Sequence, residues 1–334
     1  MKAIVVTKRG GPDVLAMSDV PEPQANAEKG EILIDVEAIG VNFADTVQTQ
    51  GMYPNGPRPP YVPGLEFAGR VVASPQAGAL AGQRVMGFTP LGAYAPKLVV
   101  KKESLFPTPA GWSATEAAAF PVNYFTAWFA YWMAGFIEHG STPGGAPKPK
   151  SVLIHAVAGG VGTASVMMGK ILGAEMFGTS SSQEKLDKAK LLGLAHGINY
   201  KDVEYEDAIA ELTRGRGVDA VFEMLGGEQT ATSTRCLANM GRIIIYGMAT
   251  GQAPQFDFMA MFAKNLSAHA LWLTPLTTQE DLMKRAWVQM SEWIKAGNLK
   301  PEVGTVLPLE QAAEAHRMLL GRRNYGKVVL TIRT

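Results

Sequence analysis

Cysteine is almost missing from this chain: Cys236 is the only one among 334 residues. A lone thiol excludes an intrachain disulfide framework and any four-cysteine metal lobe. It fits a reducing compartment, so a cytoplasmic location is expected. Excess charge of one sign is missing too, with 31 Lys and Arg against 30 Asp and Glu. The lysines are scattered and form no basic stripe, so nucleic acid is not an expected partner. The start, Met1-Lys2-Ala3-Ile4-Val5-Val6, lacks the long apolar core of a signal peptide and reads as a strand. The histidines His139, His155, His196, His269 and His316 are dispersed without ligand spacing, and a surface or core role is expected for each. One long uncharged run, Ala117 to Ile137, could span a bilayer by length. Pro121 and Asn123 interrupt it, so two buried helices are expected, one ending before Pro121 and one from Tyr124 to Phe136, with no membrane span.

What the chain does have is a glycine turn. Ser151 to Ile154 reads as a buried parallel strand, and His155-Ala156-Val157-Ala158-Gly159-Gly160-Val161-Gly162 leads into a helix. Such a turn lays a pyrophosphate against unpaired backbone N–H groups at a helix N-terminus. Aligned with G-x-G-x-x-G, Gly159 and Gly162 are the second and third glycines, and Val157 stands at the first. The turn alone equally suits an ordinary strand-to-helix connection. Its flanks decide. Helical patterns at Thr163–Leu172, Gln183–Leu192, Tyr205–Thr213 and a further one running to Leu237 alternate with strands at Glu175–Thr179, Gly197–Tyr200, Val218–Phe222, Arg242–Tyr246 and Leu266–Leu271. Two successive βαβαβ halves predict an α/β fold with a doubly wound parallel sheet.

Before residue 122 the texture is different. Short strand patterns at Gly30–Ile39, Glu66–Ala73, Gly82–Phe88 and Tyr94–Val100, separated by Gly/Pro turns, predict a β-domain. Val306–Leu309 and Lys327–Leu330 return to strand pattern around a helix at Leu309–Leu320, so the C-terminus is expected to rejoin it. The expected domains are 1–122 with 290–334, and 123–289. Ser141 to Pro149 is expected to be a surface loop. There is no internal repeat.

Several segments, in this order and spacing, carry a resemblance: Gly40-Val41-Asn42-Phe43-Ala44-Asp45, Gly51-Met52-Tyr53, Pro63-Gly64-Leu65-Glu66-Phe67-Ala68-Gly69, Gly82-Gln83-Arg84-Val85-Met86-Gly87, Gly92-Ala93-Tyr94-Ala95 and Pro121-Val122-Asn123-Tyr124-Phe125-Thr126-Ala127-Trp128. Ala158-Gly159-Gly160-Val161-Gly162, Leu225-Gly226-Gly227 and Tyr246-Gly247-Met248-Ala249 complete it. The chain resembles the medium-chain dehydrogenase/reductase superfamily and its zinc-free quinone oxidoreductase branch. It is also similar to the vesicle amine transport protein homologues of that family. The resemblance implies an N-terminal GroES-like β-domain, a Rossmann domain and a cleft between them. It also implies a homodimer joined through Rossmann sheet edges.

Zinc-dependent relatives place a cysteine at Asn42 and a histidine at Leu65. Glu66 alone is no metal site, so no metal is expected. A NAD-binding sheet ends its second strand in Asp or Glu, whereas this chain has Gly178-Thr179-Ser180-Ser181-Ser182. Ser180, Ser181 and Lys185 suit a 2′-phosphate, hence NADPH, although these serines can equally cap the following helix. The resemblance adds Tyr200 and Arg322 to the 2′-phosphate contacts. It puts Asn42 and Tyr53 toward the acceptor and Thr126 at the nicotinamide. Leu225, Gly226, Met248 and Ala249 would wall the nicotinamide ribose, and Leu271, Trp272 and Leu273 would meet the carboxamide. Trp272, Phe43 and Met52 would make the acceptor pocket apolar. Tyr53 is a candidate proton or hydrogen-bond donor or else a lid aromatic, and Asp45 reads as scaffolding. Phe258 to Phe262 reads as core or dimer packing. The expected activity is NADPH-dependent transfer of hydride directly to a quinone, without metal or flavin. The alternatives are reduction of an α,β-unsaturated carbonyl, or a weakly catalytic NADPH-binding protein of crystallin-like or vesicle-associated type.

Overall fold

A computed structural model describes residues 1–72, 77–138 and 150–332. His139, the Ser141–Pro149 loop and Ala73 lie outside the described residues. Two compact units divide the chain: Met1–Asn123 with Thr277–Glu280 and Lys300–Thr334, and Tyr124–Leu276 with Asp281–Leu299.

The first unit opens with an antiparallel pair, β1 (Lys2–Val6) and β2 (Leu15–Asp19). Then come β3 (Glu31–Val41), α1 (Phe43–Thr49), β4 (Glu66–Val71), β5 (Arg84–Phe88), β6 (Lys97–Lys101), β7 (Leu105–Pro107) and α2 (Ala114–Ala118). The chain passes into α3 (Pro121–Ala134). This helix begins earlier than the expected Tyr124. Proline's missing N–H is harmless in a first helical turn, so Pro121 starts the helix instead of delaying it. Gly135, with φ +87°, follows its last residue. No helix among the described residues is long and apolar enough to cross a membrane.

In the second unit β8 (Ser151–Ile154), α4 (Gly160–Leu172), β9 (Glu175–Ser180), α5 (Gln183–Leu192), β10 (His196–Asn199), α6 (Tyr205–Leu212), β11 (Val218–Glu223), α7 (Glu228–Arg235), β12 (Leu237–Ile245), α8 (Phe258–Lys264), β13 (Ser267–Ala270), α9 (Leu273–Leu276) and α10 (Glu280–Lys295) follow one another. The sheet is parallel throughout, in the order β10-β9-β8-β11-β12-β13. Strand order reverses between β8 and β11, the switch point where such sheets bind ligands beyond their carboxyl ends. Beside this sheet the part of α3 from Tyr124 onward is buried, except for the half-buried Trp132 and Met133, and Thr126 is its one polar side chain apart from the tyrosine hydroxyls and indole N–H groups. Tyr131 stacks edge-on against Phe222 of β11 at 4.8 Å and donates its hydroxyl to the Ser165 carbonyl of α4. Trp128 donates its indole N–H to Gln289 of α10 at 2.8 Å.

The chain returns to the first unit with β14 (Val303–Pro308), a 3-10 turn at Leu309–Gln311, α11 (Ala312–Leu320) and β15 (Lys327–Thr331). Its main sheet runs β14-β15-β3-β4-β5-β7, with β6 also on β3. The long β3 makes this possible. Its first half pairs with β6 and its last residues with β15, and its ladder to β4 shifts register between Val36 and Ala38. Val328 lies opposite Val41 and Phe67 opposite Ile39. That register brings Lys327 and Glu66 to the same end of β3, on either side of the strand that leads into Asn42.

Candidate active site

In the second unit, β8 ends in a turn whose Ala156 is left-handed at φ +47°. Gly159 donates its N–H to the Ala156 carbonyl at 2.8 Å. Thr163 is the first residue of α4 to bond back, to the Gly159 carbonyl at 2.8 Å. The N–H groups of Gly160, Val161 and Gly162 therefore have no partner within the helix, and the positive end of its dipole faces out of the turn. A Cβ on Gly162 would collide with the Ala156 and Val157 carbonyls, so only glycine lets the helix lie this close to the strand. Val157 is fully buried, and a Cβ on Gly178 of β9 would meet its side chain at 2.6 Å. The side chain that the turn carries at its first fingerprint position is accommodated by a glycine on the neighbouring strand. Ala158 is buried beside it.

No acid stands at the end of β9. Glu175 begins that strand and pairs with His196 at 2.9 Å, at the opposite edge of the sheet. Ser180 closes it and is buried, and its carbonyl accepts the Tyr200 N–H at 3.1 Å. Ser182 caps α5, accepting the Lys185 N–H. The Lys185 ammonium lies close enough to Tyr200 for their charges to interact, and partial burial lowers its pKa. Ser180, Ser181, Lys185 and Tyr200 thus gather at one strand end. Arg322 belongs to the first unit, exposed and left-handed at φ +54°.

Further residues along the carboxyl edge belong to a network with no motif in the sequence. Phe222, Ile154 and Gly178 share one register row, so Glu223, His155 and Thr179 form the next. All three are buried. One Glu223 oxygen accepts the N–H groups of Leu225 at 2.5 Å and Gly226 at 3.2 Å. The other accepts the Ser233 hydroxyl of α7 at 2.6 Å. His155 Nε2 lies 2.8 Å from Ser233 Oγ, and its Nδ1 lies 2.9 Å from Thr179 Oγ1. Burial holds the His155 pKa below 6.5, so the ring is neutral. Because the Ser233 proton goes to Glu223, Nε2 must carry the ring proton and donate to Ser233, and Thr179 must donate to Nδ1. Glu223 therefore sets the left-handed turn at Gly226 (φ +77°), and His155 ties that turn to the phosphate turn and to β9. The Leu225 carbonyl also accepts from Thr250, and Met224 accepts the Ala249 N–H. This fixes Met248 and Ala249 beside the same turn. Leu271 is buried, with its N–H on the Ile245 carbonyl. Trp272 is 37% exposed, and Leu273 starts α9. Thr126 is buried on α3.

The first unit holds a second buried polar cluster. Lys327, 3% exposed, and Glu66, fully buried, form an ion pair. The Lys327 ammonium donates to Asn42 Oδ1 at 2.7 Å and to Asn123 Oδ1 at 3.4 Å. Asn42 Nδ2 donates to Glu66 Oε1 at 2.8 Å, and the second carboxylate oxygen accepts the Val122 N–H at 2.7 Å, in the first turn of α3. A Cβ on Gly40 would fall on the Glu66 carboxylate, which is what that glycine is for. Removing one member of a buried ion pair costs about 3–5 kcal/mol, since it strands the other. Asp45 accepts the Asn42 N–H at 2.8 Å, and the Tyr94 hydroxyl reaches Asp45 at 3.2 Å and His316 Nε2 at 3.1 Å. Tyr53 is half-buried in the loop after α1, where its carbonyl accepts the Gly56 N–H. Glu66 was visible in the sequence as a remnant ligand. Lys327, Glu223 and Ser233 carried no signal there, because their partners lie on elements far away in the chain.

Residues 28–110 match the alcohol dehydrogenase GroES-like domain and residues 160–293 match the zinc-binding dehydrogenase family. The chain is 32% identical to the rat synaptic vesicle membrane protein VAT-1 homolog, over 99% of this chain and 84% of that protein. It is also 32% identical to a quinone oxidoreductase-like protein 2 homolog from Nematostella vectensis, over 91% of this chain and 82% of the relative. Its fold is similar to that of the Thermus thermophilus quinone oxidoreductase, solved also with NADPH, at a TM-score of 0.82 and 33% identity, covering 99% of this chain and all of that one.

The zinc in the second family's description does not fit the residues here. Asn42 and Leu65 are not zinc ligands, and both Glu66 oxygens are committed to Lys327, Asn42 and Val122. Among the described residues no group of three or more His, Cys, Asp or Glu side chains is placed to hold a metal ion. A GroES-like sheet, a six-stranded parallel sheet in dinucleotide-binding order and full-length similarity to these relatives agree: the chain belongs to the medium-chain dehydrogenase/reductase family, among the quinone oxidoreductases and VAT-1 homologues.

Proposed function

We propose that this chain is an NADPH-dependent oxidoreductase that reduces a quinone by direct hydride transfer, without metal or flavin. The observation that carries NADPH is the end of β9: hydroxyls and an ammonium at Ser180, Ser181 and Lys185 stand where a NAD-specific sheet needs a carboxylate. When bound, NADPH supplies the hydride. The N–H groups of Gly160, Val161 and Gly162 hold its pyrophosphate, and Leu225, Gly226, Met248 and Ala249 line the ribose. Leu271, Trp272 and Leu273 meet the carboxamide. Thr126 orients the nicotinamide, while Asn42 and Tyr53 face the acceptor. A quinone suits a site whose polar cluster offers no Lewis acid, since the incoming charge delocalises onto the acceptor's own oxygens.

In this reading residues 1–122 and 290–334 form the catalytic domain and 123–289 the dinucleotide-binding domain. The protein works in the cytoplasm as a homodimer. Support for the dimer is an edge strand, β13, whose four residues are all exposed, beside α8 with Phe258, Met259 and Phe262 about 70% exposed. The test is steady-state NADPH oxidation against ortho-quinones, para-quinones and enals. Quinone turnover is expected. Turnover of enals alone would make the chain an enone reductase, and inactivity with every acceptor despite cofactor binding would make it a nucleotide-binding protein with little catalysis.

A further inference from the structure

The Lys327–Glu66 ion pair is buried charge that the hydride-transfer reading leaves unused. Resting on that reading, we infer that Lys327 is a positioning residue. Its ammonium fixes and polarises the Asn42 amide, so that one amide N–H is offered to the oxygen that becomes negative as the acceptor is reduced.

The chemistry of the partners allows only one orientation of this amide. An ammonium can only donate, so Oδ1 must face Lys327; an ionised carboxylate can only accept, so Nδ2 must face Glu66. Turning the amide over would set two donors and two acceptors against each other in a buried site. Glu66 cannot drift either, because its second oxygen is held by the Val122 N–H in the first turn of α3. Three elements therefore grip one side chain: β15 through Lys327, β4 through Glu66, and α3 through Val122.

One of the two amide donors is only weakly held. The first N–H goes to Glu66 at 2.8 Å, whereas the second makes a long bond to the Gly40 backbone carbonyl at 3.4 Å, which an incoming acceptor oxygen can replace. Asn42 sits at the N-cap of α1, and Asp45 reaches back from the first turn to the Asn42 backbone N–H at 2.8 Å, which holds the residue in place. A positive charge on Oδ1 withdraws electron density through the amide and strengthens the remaining N–H as a donor. A donor fixed before the reaction stabilises developing negative charge without reorganising. The amide proton stays on nitrogen throughout, and Lys327 acts only through Asn42.

The test compares the intact protein with the pair Lys327→Met and Glu66→Gln. The double variant keeps the cluster neutral, whereas Lys327→Met alone would strand the carboxylate. Two quantities are read: the side-chain amide resonances of Asn42 by ¹H–¹⁵N NMR, and kcat with KM for the best acceptor alongside the NADPH Kd. Expected are a shifted Asn42 amide pair, a kcat lowered at least about tenfold, and an NADPH Kd within about twofold of the parent. An unmoved amide pair overturns the inference, and so does a shifted pair with unchanged kcat. If the parent protein reduces none of the acceptors, the hydride-transfer reading falls and takes the oxyanion role with it. The amide resonances then still decide whether Lys327 fixes Asn42.

Discussion

Asp45 and His316 show how single buried groups can hide each other. Burial pushes the Asp45 carboxyl up from 3.8 to about 7, with Lys327 opposing. Burial pushes the His316 imidazole down from 6.5 to about 4. Between pH 3.8 and 7 folded Asp45 keeps a proton that the unfolded chain has released, so its contribution to stability falls as pH rises. Between pH 4 and 6.5 the unfolded chain holds a proton that folded His316 refuses, so that contribution falls as pH drops. Each slope approaches about 1.4 kcal/mol per pH unit, and in the parent protein they oppose. Asp45→Asn should leave stability declining as pH is lowered from 6.5 to 4, and His316→Gln should leave it declining as pH rises from 4 to 7. Urea unfolding across that range checks both, and slopes of the same sign in the two variants would refute the assignment. At the cofactor, Lys185→Glu should weaken NADPH binding by at least about tenfold through the lost charge-assisted contact, with little effect on NADH. Titration with both nucleotides measures the ratio, and an unchanged ratio removes Lys185 from the 2′-phosphate site.

At the scale of elements, the row His155–Thr179–Glu223 joins three strand ends into one support. Glu223→Gln keeps an oxygen for Leu225 and Gly226 but presents N–H to Ser233. The Ser233 proton must then turn to His155, and the ring proton should move from Nε2 to Nδ1. The ¹⁵N shifts of the His155 ring report that reversal. Glu223→Ala leaves the Leu225 and Gly226 amides unpaired, at about 1–3 kcal/mol, and should raise the NADPH Kd with far-UV circular dichroism unchanged. Most elements were legible, because helical periodicity and apolar runs bounded by glycines are local: helix Gln183–Leu192 forms as expected, and strand β11 ends one residue later than expected, at Glu223. Two boundaries were less so. The strand expected at Arg242–Tyr246 begins at Leu237, where the preceding helix was expected to end, and stops at Ile245, and Pro121 opens a helix instead of interrupting one. Glu223 reads in sequence as an ordinary acid after an apolar run, and Lys327 as the polar start of a strand. Their meaning comes from register between strands, which no local pattern encodes.

For the molecule as a whole, three of the four most exposed large apolar side chains among the described residues, Phe258, Met259 and Phe262, lie on α8. If β13 and α8 meet a second copy, Phe262→Asp should yield monomers by light scattering while leaving the fold intact, and an unchanged mass would remove that face from the interface. The same sheet is shared with relatives at about a third identity along nearly the whole chain. Val157 and Gly178 divide one steric allowance between the turn after β8 and the neighbouring strand β9. Enlarging Gly178 alone over-fills it, and trimming Val157 alone opens a void. A dinucleotide fingerprint written as three glycines in one loop rejects this chain, whereas one that sums the bulk at positions 157 and 178 accepts it.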